Sequence, residues 1–238
     1  MRPEIVVDKT LALGEVLAAR LVEEGRRALA ARGRFALALP GGSVATRFFP
    51  RLARLPLDWS AVDFFWGDER AVPADDPESN YGAARALWLA PARVPEARVH
   101  RMKAEGADLD RAAREYAEEM ERALGRPPRL DLALLGVGPD GHVCSLFPGH
   151  ALLAERARWV AAIEDSPKPP PRRLTLTLPT LAAAALVVIA ALGRAKAEAM
   201  REAIEDAASA LPVALVARSA ARAIVLLDPE AARLLGPR

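Results

Sequence analysis

Short apolar, β-rich segments alternate with amphipathic helical patterns along the whole chain, and that alternation admits few architectures. It calls for repeated β–α–β units whose parallel strands lie side by side beneath covering helices. Residues 35–39, 62–66, 131–137 and 186–191 are apolar at nearly every position, as strands buried on both faces must be. Residues 4–7, 159–163, 173–178 and 224–227 read as further strands. Helices are expected over 11–32, 44–55, 80–89, 108–124 and 194–206, and again from Pro229, with a polar loop over 67–79 and a proline-dominated loop over 166–171. In the helix at 108–124, Ala112, Tyr116, Met120 and Ala123 form the inward stripe. The class is therefore α/β: a Rossmann-like, mainly parallel twisted sheet flanked by helices on both faces. No repeat, flexible linker or low-complexity tract divides the 238 residues, so residues 1–238 are read as a single domain.

Charge and apolar run length narrow the partners. The 33 basic and 31 acidic residues are spread evenly, which gives no electrostatic footprint for nucleic acid. The longest apolar run, residues 181–192, is well short of the roughly 20 residues that a membrane-spanning helix needs. Met1-Arg2-Pro3-Glu4 opens no apolar leader, and the lone Cys144 can form no internal disulfide, so a cytoplasmic protein is expected. It is expected to act on a small molecule as a monomer or small homo-oligomer.

Ligands of open parallel sheets bind where the chain leaves the carboxyl ends of strands. Pro40-Gly41-Gly42-Ser43 joins a strand to a helix N-terminus, where free amides and the helix dipole favour an anion. Taken alone, it serves equally well as a tight turn with Ser43 as N-cap. Gly67-Asp68-Glu69-Arg70 puts carboxylates and a guanidinium at the sheet's rim, although a solvated loop with a local ion pair would look the same. Gly138-Pro139-Asp140-Gly141-His142 sets an acid two residues from one of only three histidines. Gly193-Arg194-Ala195-Lys196 brings two cations to a helix start, against the dipole, as if an anion compensated them. Arg172 and Arg173 could converge on the same anion.

Together these segments resemble the 6-phosphogluconolactonase family, the second enzyme of the oxidative pentose phosphate pathway. The likeness extends over essentially the whole chain. It rests on Pro40-Gly41-Gly42-Ser43, on Trp66-Gly67-Asp68-Glu69-Arg70 followed by Ser79-Asn80-Tyr81, and most specifically on residues 136–142 followed by Ser145-Leu146-Phe147-Pro148-Gly149-His150. Residues 170–177 and 193–197 fall in the same order. Glucosamine-6-phosphate deaminases share that fold, and the alternative reading as a deaminase meets Phe147 where the deaminase loop resembles one with a glutamate that pairs with the histidine. Val143-Cys144 stands where lactonases commonly carry Thr-Ala, which removes any hydrogen bond from that threonine. A non-catalytic sugar-phosphate sensor is a second alternative, but the chain has no basic helix-turn-helix segment to give it an output.

The resemblance implies hydrolysis of 6-phospho-D-glucono-1,5-lactone. His142 would activate water and return the proton to the leaving oxygen, Asp140 would orient the imidazole or the water, and Arg70 would serve the phosphate or the developing oxyanion. Gly41, Gly42, Ser43, Asp68, Arg173 and Lys196 are the expected substrate- and phosphate-binding residues, with Arg47 and Arg194 as further candidates. No cofactor and no metal are expected, because a lactone is already an activated ester. Cys144 is expected to be a packing group rather than a nucleophile.

Overall fold

A computed structural model describes residues 3–236; Met1 and Arg2, which open the segment read as lacking a leader, lie outside them. In chain order the elements are β1 (Glu4–Val7), α1 (Thr10–Arg32), β2 (Phe35–Leu39), α2 (Gly42–Leu52), β3 (Val62–Trp66), β4 (Asp68–Arg70), α3 (Asn80–Ala84), α4 (Leu109–Leu124) and β5 (Leu132–Gly136). They continue with β6 (Val160–Ile163), β7 (Arg173–Leu176), α5 (Leu178–Ala183), β8 (Leu186–Ala191), α6 (Ala197–Glu205), α7 (Pro212–Ser219), β9 (Ala223–Leu227) and α8 (Pro229–Ala232). Six strands form a wholly parallel sheet in the order β1-β9-β8-β5-β2-β3. Every residue of β2, β3 and β8 is buried, which explains their unbroken apolar runs. No helix among the described residues is long and apolar enough to cross a membrane.

The helices form where the sequence places their faces and ends. Leu13, Leu17, Leu21 and Ala28 of α1 are buried, and Gly33 ends the helix in the left-handed region at φ 70°, donating its N–H to the Leu29 carbonyl. Asp108 caps α4 by accepting the Arg111 N–H at 2.8 Å. The buried stripe of α4 is Leu109, Ala113, Tyr116, Met120 and Leu124; Ala112 and Ala123, expected inside it, lie half-buried at its margin. Trp88 stands edge-on to Phe49, Trp59 and Phe64, with centroids 5.1, 5.6 and 5.6 Å away, and ties the segment after α3 to α2 and β3.

Two features depart from the sequence reading. The expected loop over 67–79 begins as a strand, because β4 pairs antiparallel with β7 (Asp68 opposite Thr175, Arg70 opposite Arg173) and β7 pairs in turn with β6. These three strands form a separate small sheet. Two helices, α5 and α7, lie where none was expected; α5 starts at Leu178, the last residue of the strand expected over 173–178, so β7 ends at Leu176.

Near the sheet's edge, His100 stacks on Phe65 (4.5 Å, 8° between planes) and lies between two carboxylates. Its Nδ1 is 2.8 Å from Glu119 Oε1 and its Nε2 is 3.4 Å from Asp63 Oδ1, which also accepts from Arg98. Burial opposes the charged ring, but its hydrogen bonds to Asp63 and Glu119 overcome it and raise the pKa to about 9. A folded-state value above the usual 6.5 means that the stabilisation is complete below pH 6.5 and disappears as pH rises through 9. After allowance for solvent screening it amounts to about 2 kcal/mol. Denaturant midpoints of wild type and His100→Gln should therefore differ most near pH 6 and converge by pH 10. A gap independent of pH would refute the assignment.

Candidate active site

The chain leaves β2 and β5 in opposite directions, β2 running on to β3 and β5 to β8 on the other side, and a crevice opens above their carboxyl ends. The cavity there, about 300 Å³, is lined by the β2–α2 turn, the segment from Leu135 to Pro139, His142, and side chains from the small sheet and the start of α6.

Two glycines let side chains approach the backbone. A Cβ on Gly138 would sit 2.0 Å from His142 Nδ1 and 2.6 Å from Asp140 Oδ1, so only glycine leaves room for the pair. A Cβ on Gly41 would lie 1.7 Å from Asn80 Oδ1. The turn carrying the pair is closed by Gly138 N–H on the His142 carbonyl (2.8 Å) and Gly141 N–H on the Gly138 carbonyl (3.0 Å).

Asp140 Oδ1 is 2.6 Å from His142 Nδ1. Burial lowers the His142 pKa and outweighs the opposing pull of Asp140, so the ring is neutral near pH 7. Burial works against the Asp140 charge, but the hydrogen bonds from His142 and Lys168 prevail and hold it down to about 2. A neutral ring that donates Nδ1–H to a carboxylate keeps its Nε2 lone pair free to accept a proton. The Phe147 ring packs against the imidazole with centroids 4.7 Å apart.

His142, Arg70, Gly41, Gly42, Ser43, Asp68, Arg173 and Lys196 all line the cavity. Asp140 touches it through His142 and itself borders a neighbouring surface hollow. Arg47 and Arg194 are not among the lining residues, and Arg172 turns away to pair with Glu164 at 2.7 Å. Asp68 is buried and accepts from Ser145 Oγ at 2.7 Å and Asn80 Nδ2 at 3.2 Å. Its neighbour Glu69 is a structural tie, accepting the backbone N–H groups of Arg70, Asn80 and Tyr81 at 2.7 to 2.8 Å and the Ser79 hydroxyl at 3.1 Å. Arg70 donates to the Glu78 carbonyl and carboxylate, while its Nε is buried with no partner among the described residues.

Arg173, expected at the phosphate, spends most of its donors elsewhere. Nε binds the Pro170 carbonyl at 2.9 Å, and one Nη binds the Lys168 and Pro169 carbonyls at 3.0 Å each. The other Nη reaches Ser145 Oγ at 3.4 Å. Cys144 lines the cavity, but burial drives its thiol pKa far above the usual range, with Asp68 adding to the effect, so the thiol stays protonated.

Lys168 and Asn80 line the cavity without having been picked out as site residues. A signal existed for Lys168: the chain has only four lysines, and Lys168 and Lys196 both face this cavity. Four cations line it against the single carboxylate of Asp68, a balance that suits an anionic ligand. Burial lowers the Lys196 pKa, and the Lys168 charge lowers it further, which an anion would relieve.

The family model described as glucosamine-6-phosphate isomerases/6-phosphogluconolactonase matches residues 8–225. The chain belongs to this family. A 6-phosphogluconolactonase of Rattus norvegicus is 44% identical over 211 residues, covering 86% of this chain and 82% of the relative. A solved 6-phosphogluconolactonase of Trypanosoma cruzi superposes with a TM-score of 0.88 at 30% identity, covering 99% of this chain and 98% of that one. A solved monomeric glucosamine-6-phosphate deaminase shares the fold, with a TM-score of 0.81 at 23% identity, covering 97% of this chain and 99% of that one. The family thus spans two activities on one scaffold.

Proposed function

We propose that this chain is a 6-phosphogluconolactonase that hydrolyses 6-phospho-D-glucono-1,5-lactone to 6-phospho-D-gluconate in the pentose phosphate pathway. The observation that carries the reading is the Asp140–His142 pair at the cavity wall with Phe147, not a carboxylate, against the imidazole. An apolar ring there leaves His142 neutral and able to take a proton from water. It cannot pair with an imidazolium in the way that the deaminase chemistry expected from the loop comparison requires.

Water held by Nε2 attacks the lactone carbonyl carbon and passes its proton to the imidazole. The tetrahedral intermediate then collapses, the bond from that carbon to the ring oxygen breaks, and the imidazolium gives the proton to the departing oxygen. Asp140 keeps the ring in the required tautomer. The amides at the N-terminus of α2, the Ser43 hydroxyl and the Lys196 ammonium receive the phosphate. Arg70 supplies a fixed cation at the rim for negative charge on the phosphate or on the carbonyl oxygen. Asp68 and Asn80 form the polar wall beside the β2–α2 turn. The cytoplasm is the compartment that this reading assigns.

A base of lowered pKa predicts a pH profile. With saturating lactone, kcat should rise along a single acid limb whose midpoint lies below 6.5 and then stay level to pH 8. A limb with its midpoint above pH 7 would contradict His142 as the base.

A further inference from the structure

Lys168 lies in the loop between β6 and β7, and its backbone is held unusually firmly for a loop. Pro167 precedes it and Pro169, Pro170 and Pro171 follow, each with a fixed φ. Its carbonyl accepts from Arg173 Nη2 at 3.0 Å and from Ser166 Oγ at 2.9 Å, while Arg173 also grips the Pro169 and Pro170 carbonyls. Arg173 is itself only 3% exposed. This buried guanidinium therefore acts as a clamp on the loop.

The clamp delivers the Lys168 ammonium to the Asp140–His142 pair. Nζ lies 3.0 Å from Asp140 Oδ1, the same oxygen that meets His142, and 3.4 Å from His142 Nδ1. Lysine can only donate, so the shared oxygen is fixed by two donors, and the 2.6 Å contact to Nδ1 assigns that proton to the imidazole. We propose that Lys168 is a positioning residue for the hydrolysis, a cation that the Arg173 clamp holds beside Asp140 so that His142 meets water as a neutral base.

All three histidines meet carboxylates, and His100, the one with two, supplies the contrast. His100 has two carboxylates at its ring nitrogens and is held charged. His142 has one, Asp140, and that carboxylate is shared with an ammonium. The remaining charges that bear on His142 are Asp68 from β4 and, acting through Lys168 and Asp140, Lys196 from the start of α6; Phe147 contributes only an apolar ring. Burial still holds the ring towards the neutral form, but removing the Lys168 charge strengthens the pull of Asp140 against it, so the imidazole protonates at a higher pH than in wild type.

The inference rests on the lactonase reading for its catalytic meaning, but its test does not depend on turnover. Imidazole 15N shifts of His142 are followed by NMR through a pH titration in wild type, Lys168→Met and Lys168→Arg. The His142 midpoint should rise by about one pH unit or more in Lys168→Met and return towards wild type in Lys168→Arg, which keeps the charge. Where lactone is turned over, the acid limb of kcat should move in the same direction. A midpoint unmoved or lowered in a folded Lys168→Met would overturn the proposal, whatever happens to the rate. A protein whose midpoint moves as described but which hydrolyses no lactone would keep the electrostatic role and refute the lactonase reading.

Discussion

His142→Ala is expected to lower kcat for lactone hydrolysis by about 10²–10⁴, the range for loss of a general acid–base group, or about 3–5 kcal/mol of barrier. The side chain is 18% exposed at the cavity wall and makes no contact on which the sheet depends, so the variant should fold. KM should change little, because the phosphate is received by the α2 amides and Lys196 rather than by the imidazole. Initial rates corrected for spontaneous hydrolysis measure the effect. A folded variant with a near-native rate would remove His142 from the mechanism.

Asp140→Asn should have an effect of comparable size. The amide is nearly isosteric, but its NH₂ would donate to Nδ1 and favour the tautomer with the proton on Nε2, leaving no lone pair towards water. Loss of the correct tautomer in an acid–histidine pair lowers kcat by about 10²–10⁴. Asp140→Asn combined with His142→Ala should be hardly slower than His142→Ala alone, because the carboxylate acts through the ring. Rates within tenfold of wild type for Asp140→Asn, or a fully additive double variant, would show that Asp140 has no orienting role.

The part of this architecture that is legible in the sequence is the part set by local pattern. β2, β3, β5 and β8 are apolar runs because both faces of the parallel sheet are covered, and the cavity's glycine turns lie where those strands end. β6 and β7 of the small sheet are legible as strands, but β4 escapes such a reading because it is a run of three charged residues whose partner strand lies about a hundred positions away, and only its pairing with residues 173–175 reveals it. Arg173 illustrates a second limit. Its position two residues after a proline run suggests a cation for a ligand, whereas its donors bind the carbonyls of that run. A hydrogen-bond partner three to five residues away on a folded-back loop leaves no periodic signature. For Lys168 the scarcity of lysine is the one signal in the sequence, since residues 166–171 read as a loop from their prolines and the loop's path over Asp140 is a tertiary fact.

The most direct test is the initial rate of 6-phosphogluconolactone hydrolysis by the purified protein at pH 7, measured above the spontaneous rate, with glucosamine 6-phosphate in a parallel reaction assayed for ammonia. Rapid lactone loss with no ammonia is the expected result. Ammonia release, or lactone loss no faster than the background, would contradict the lactonase assignment.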